Sequence, residues 1–131
     1  MKIAVATEDG VTVSQHFGRA PFYVVATVEE GRIVGNERRA KAGHQVFATE
    51  ERHAPKGRQH GYGVASRARH EQMAEAIADC EVIIAGGMGS GAFESMRARG
   101  IEPVVTDERD IREAALRYAQ GNLPNLMERL H

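Results

Sequence analysis

The run Val82-Ile83-Ile84-Ala85-Gly86-Gly87-Met88-Gly89-Ser90-Gly91-Ala92 puts four glycines within six residues, directly after an apolar stretch and directly before an amphipathic pattern, Phe93 to Arg99. The apolar stretch is too short for a free-standing helix, so the order reads as strand, glycine loop, helix. Glycines at such a step permit positive φ and close approach to the main chain, and the first amides of the following helix have no intrahelical partner. That combination can seat an anionic ligand. It also serves a tight strand-to-helix turn that holds nothing, because the geometry alone calls for glycine. A second polar set, Ser14-Gln15-His16-Phe17-Gly18-Arg19, stands in the first loop of the chain.

The flanking pattern indicates how these two sets are positioned. Lys2 to Thr7 is a buried strand closed by Glu8-Asp9-Gly10, and Phe22 to Val28 with Ile33 to Arg39 form a hairpin around Glu29-Glu30-Gly31-Arg32. Ser66 caps a predicted helix from about Arg67 to Asp79, with Met73, Ile77 and Cys80 on one face. Gly100 suits a left-handed C-terminal position before a last strand, Ile101 to Thr106. Asp110 with Glu113 resembles a capping box for a helix carrying Ile111, Ala114, Ala115 and Tyr118. A short helix from Pro124 to Leu130 follows. If the strands Lys2 to Thr7 and Val82 to Ala85 are parallel neighbours, their C-terminal ends share one rim with the Glu8 to Arg19 loop, the glycine loop and the Thr106 to Asp110 turn.

The chain has 131 residues, which fits a single domain, 1–131, with an aperiodic insert at 41–66 expected to be flexible. Seventeen Lys plus Arg against eighteen Asp plus Glu offers no general attraction to nucleic acid or to a membrane surface. One cysteine, Cys80, excludes an intrachain disulfide framework and fits a reducing compartment, and no signal peptide or spanning segment is visible. The expectation is a cytoplasmic protein. Cys80 and Met88 read first as apolar core residues, ahead of any role as ligands.

The acidic-glycine turn after the first strand, then His16-Phe17-Gly18-Arg19-Ala20-Pro21, then a strand feeding Gly86-Gly87-Met88-Gly89-Ser90-Gly91-Ala92 and the step Gly100-Ile101-Glu102-Pro103-Val104, resembles the dinitrogenase iron-molybdenum cofactor biosynthesis family. That family includes NifX-type proteins, the C-terminal part of NifB-type proteins and small stand-alone domains, and it is similar to the small orange proteins that hold a molybdenum-copper sulfide cluster. The resemblance covers roughly 1–40 and 67–120. It implies a ribonuclease-H-like, three-layer α/β/α sandwich with a mixed sheet of about five strands. It implies a non-enzymatic role: binding, carrying or protecting an iron-molybdenum-sulfur or molybdenum-copper-sulfur cluster, or a precursor, with metallocluster assembly or acceptor proteins as partners and the chain a monomer or weak homo-oligomer. On this reading His16 offers an imidazole nitrogen to the metal and Arg19 balances an anionic charge. Gly86, Gly87, Met88, Gly89, Ser90 and Gly91 then line the cofactor. Without the resemblance, His16 reads first as a histidine bonded to its own loop backbone, and the resemblance brings the ligand reading level with it.

His44, His53, His60 and His70 are spaced by 9, 7 and 10 positions, which matches no compact metal template. Stand-alone members of the family carry a histidine- and glycine-rich insert here, so metal capture by these four side chains is implied by the resemblance, against a solvated or partner-recognising loop. Three rival functions remain. Gly87-x-Gly89-x-x-Ala92 with Asp107 twenty positions on matches a dinucleotide fingerprint, but too little chain follows for the second half of that fold. Hydrolysis finds only Glu8, Asp9 and Asp107 at the rim, and Ser90 lacks the nucleophile-elbow spacing. The third is an adaptor domain that binds no cofactor.

Overall fold

The computed structural model describes residues 1–41 and 70–126. His44, His53 and His60, most of the expected insert, and Met127 to Leu130 lie outside the described residues. Five strands, β1 (Lys2–Thr7), β2 (Phe22–Glu29), β3 (Arg32–Ala40), β4 (Val82–Ala85) and β5 (Glu102–Val105), form one sheet in the order β3-β2-β1-β4-β5. The β1-β2 and β2-β3 pairings are antiparallel, whereas β1-β4 and β4-β5 are parallel. The sheet is therefore mixed, as expected.

β1 is central and apolar on both faces, and its alternation sorts the core into two layers. Ala4 and Ala6 of β1, Tyr23 and Val25 of β2, and Ile83 and Ala85 of β4 face one side. There they meet Ala74 and Ile77, which belong to helix α1 (residues 70–75) and the turn after it, and Ala92, Phe93 and Met96 of helix α2 (Ser90–Ala98). Ile3 and Val5, with Val82 and Ile84, face the other side against Ile111, Ala114 and Ala115 of helix α3 (Ile111–Ala119). Helices thus cover both faces, giving the three-layer α/β/α arrangement of a ribonuclease-H-like fold. Among the described residues, no helix is long and apolar enough to cross a membrane.

Local chemistry sets several boundaries. The Asp110 carboxylate accepts the Glu113 N–H at 2.9 Å and so caps α3. The reciprocal half of the box is absent, because the Asp110 N–H goes to Glu108 Oε2 at 3.2 Å. Gly100 closes α2 with φ +80°, a left-handed conformation that favours glycine. Helix α1 is shorter at its end than the expected Arg67 to Asp79, since residues 76–79 form turns. Arg39 reaches across from β3 to hold that end, bonding the Ala76 carbonyl at 3.0 Å and the Asp79 carboxylate at 2.7 and 3.0 Å. Residues 124–126 are not helical, in contrast to the expected final helix. Leu126 N–H instead bonds the Val105 carbonyl at 2.7 Å, and Asn125 Oδ1 accepts from Val105 N–H at 2.9 Å. That segment satisfies the outer edge of β5, which competes directly with helical pairing.

Candidate functional site

The loop after β1 is strapped across the C-terminal ends of the parallel strands. Thr7 pairs with Val13, and Thr12 pairs with Asp110. Val13 N–H bonds the Arg109 carbonyl and Ser14 N–H bonds the Ala6 carbonyl, both at 2.8 Å. Asp9 shapes the turn: its Oδ1 accepts from the N–H groups of Val11 at 2.8 Å and Thr12 at 2.7 Å and from Thr7 Oγ1 at 3.2 Å. The Thr12 and Val11 backbone bonds draw the Asp9 carboxyl down to about 2, so it is ionised at neutral pH and committed to the turn.

Two further bonds join this loop to the glycine loop. Gly86 N–H donates to the Ser14 carbonyl at 2.7 Å, and Phe17 N–H donates to the Gly87 carbonyl at 2.9 Å. His16 precedes the 3-10 turn Phe17–Arg19, so the Phe17 N–H to Gly87 carbonyl bond keeps the His16 backbone next to the glycine loop. His16, Gly18 and Arg19 are exposed, while Phe17 is buried and anchors the turn in the core. Beside His16 opens a cleft of about 420 Å³ whose lining includes Glu8, Asp9, Ser14, Gln15 and Arg109. Ser14 Oγ lies within donating reach of the His16 carbonyl at 2.9 Å and of Glu8 Oε2 at 3.2 Å, and it accepts from the His16 N–H at 3.2 Å, which braces the loop at His16.

The glycines divide by role. Gly86, Gly89 and Gly91 take no positive φ, so close approach, not a left-handed turn, accounts for Gly86 and Gly91. A Cβ on Gly86 would lie 2.7 Å from Gln15 Nε2 and 3.0 Å from Gln15 Cα, and a Cβ on Gly91 would lie 2.9 Å from His70 Cε1. Gly86 and Gly87 are buried and Gly86 has spent its amide on Ser14. Ser90 and Gly91 are exposed in the first turn of α2, whose N-cap Gly89 supplies no side chain. The outward amides thus belong to the Gly89–Gly91 end. Met88 lies 1% exposed inside the core layer under α2, away from solvent. Cys80 is also in that layer, and burial together with the neighbouring Asp79 pushes its thiol up to about 11.

These contacts carry opposite expectations for two alanines. Gly86→Ala must displace the Gln15 backbone and is expected to lower stability by about 1–3 kcal/mol. Gly91→Ala needs only the end of the His70 side chain to swing away and gains helix propensity, so stability is expected to hold or rise by up to about 1 kcal/mol. Thermal melts, with the His70 ring followed by nuclear magnetic resonance, check both.

His16 and the glycine loop are brought together, and His70, from α1, reaches the same loop at Gly91. Among the described residues no group of three or more His, Cys, Asp or Glu side chains could hold a metal ion. One residue that the motifs did not single out stands beside the site. Lys41 follows β3, is 3% exposed, and donates from Nζ to the Phe17 carbonyl at 2.5 Å, with the ammonium 4.2 Å from the Phe17 ring centre. Burial pushes its pKa down to about 8. Its only sequence signal is its place at the end of a hairpin strand; lysine itself argues for the surface.

Solved structures resemble the chain over nearly its full length at low identity, and three of them illustrate the likeness. The protein PH0822 matches with a TM-score of 0.66 and 21% identity, over 95% of this chain and 96% of that one. The apo form of the orange protein from Desulfovibrio gigas matches with a TM-score of 0.62 and 23% identity, over 95% and 91%. A Methanocaldococcus jannaschii protein, provisionally termed a dinitrogenase, matches with a TM-score of 0.61 and 10% identity, over 96% and 94%. At these identities the likeness shows the fold. No curated protein gives a significant match. The sequence profile of the family described as dinitrogenase iron-molybdenum cofactor matches residues 1–121, nearly the whole chain, and the chain belongs to that family.

Proposed function

We propose that this chain binds and carries a metal-sulfur cluster, of iron-molybdenum or molybdenum-copper type, or its metal components, at the rim built by His16, Arg19 and the Gly86–Gly91 loop. The observation that carries the reading is the Phe17 N–H to Gly87 carbonyl bond, which stitches the His16 turn to the glycine loop. Family membership supports a role connected with metal clusters. The donor chemistry fits a cargo that brings its own sulfide. The single thiol is buried and held protonated, so the protein's part is one imidazole, outward amides and cationic charge. The role is carriage without catalysis, and the partners are proteins that assemble or accept the cluster.

His16 is exposed, so removing its ring costs the fold little. His16→Ala is expected to keep the wild-type melting temperature within a few degrees and to lose most of the bound metal. The check is metal and acid-labile sulfide analysis, with an absorption spectrum, on anaerobic protein incubated with iron, copper and tetrathiomolybdate. Wild-type protein that takes up no metal under any of these conditions sinks the carrier reading. Unchanged retention in His16→Ala removes His16 from the site.

A further inference from the structure

We propose that Lys41 is the buried positive charge that makes this rim prefer an anionic cargo; the inference rests on the carrier reading and adds to it the sign of what is carried. Lys41 donates to the Phe17 carbonyl and sits over the Phe17 ring, and none of the ion pairs among the described residues includes it. An ammonium kept from water without a carboxylate is costly, and a methionine would fill the same space without that cost. Stability therefore gives no reason for the charge, whereas its position does. The Phe17 peptide is held at both ends, by Gly87 through its N–H and by Lys41 through its carbonyl. The charge thus lies directly under the turn that carries His16 and Arg19.

The cleft beside His16 sets two carboxylates, Glu8 and Asp9, against one guanidinium, Arg109, so by itself it offers an anion no net attraction. Arg19 is exposed, and solvent and salt screen it. Lys41 is buried, so its field reaches the rim with much less screening.

The experiment titrates wild type, Lys41→Met and Lys41→Arg with two separate probes, tetrathiomolybdate as a dianion and cupric ion as a cation. Lys41→Met is expected to weaken tetrathiomolybdate binding about tenfold or more and leave cupric ion binding unchanged. Lys41→Arg, which keeps the charge, is expected to recover at least part of the loss. Equal tetrathiomolybdate affinity in Lys41→Met and wild type overturns the inference, as does a parallel loss for both probes, which would make Lys41 only a prop for the turn. Should Lys41→Met fail to fold, Lys41→Gln carries the same expectation. Wild type that binds cupric ion but not tetrathiomolybdate overturns the anion preference alone. Wild type that binds neither overturns the carrier reading and this inference with it.

Discussion

Met88→Ala is expected to lower the unfolding free energy by about 2–5 kcal/mol, read as a shift of the urea midpoint without a change in slope. The side chain is 1% exposed and belongs to the core layer that holds Ile83, Phe93, Met96, Ile101 and Val105. Truncation removes the buried thioether and leaves a void in a close-packed core layer. Met88→Leu, close in volume, is expected to cost less than about 1.5 kcal/mol. A thioether acting as a ligand would behave differently, since Met88→Leu would then lose metal at full stability. Stability lost in the alanine variant and metal retained in the leucine variant would place Met88 in packing alone.

A second large effect is expected from pH. The unfolded state holds the Lys41 proton up to about 10.5, whereas the folded state releases it from about 8 because burial disfavours the charge. Below pH 8 both states are protonated and the burial cost is present in full. Between those values the unfolded state binds more protons, so stability rises with pH. The difference in unfolding free energy between wild type and Lys41→Met is therefore expected to move in favour of wild type by up to about 3 kcal/mol from pH 8 to pH 10.5. Chemical denaturation of both proteins across that range reads it, and parallel profiles would show that Lys41 is solvated in the folded state.

The frame was legible because each strand announces itself locally. The apolar run of Lys2 to Thr7 and that of Val82 to Ala85 coincide with β1 and β4, and their parallel pairing followed from the helix between them. The hairpin differs from expectation only by a residue at its ends. Two things were not legible. Which glycine serves which purpose depends on Gln15 and His70, side chains from elsewhere in the chain that only the tertiary fold brings near. Lys41 was hidden for a different reason: its burial arises from the Phe17 ring and carbonyl, and no pattern along residues 32–41 announces either. Residues 124–126 depart from the expected helix because the unpaired edge of β5 offers Leu126 a backbone partner.

The strand order has a kinetic consequence. β1 meets β2 across a short connection, but it meets β4 only through Ile3 with Val82, Ala4 with Ile83 and Val5 with Ile84, nearly eighty positions away. The β1-β2-β3 meander can form early, whereas the β1-β4 ladder must close a long loop first and is the slower event. His16 emerges with the first half of the chain and the glycine loop with the second, so a nascent chain cannot present the rim until that ladder zips. On the carrier reading proposed above, cargo capture would follow the completion of the fold.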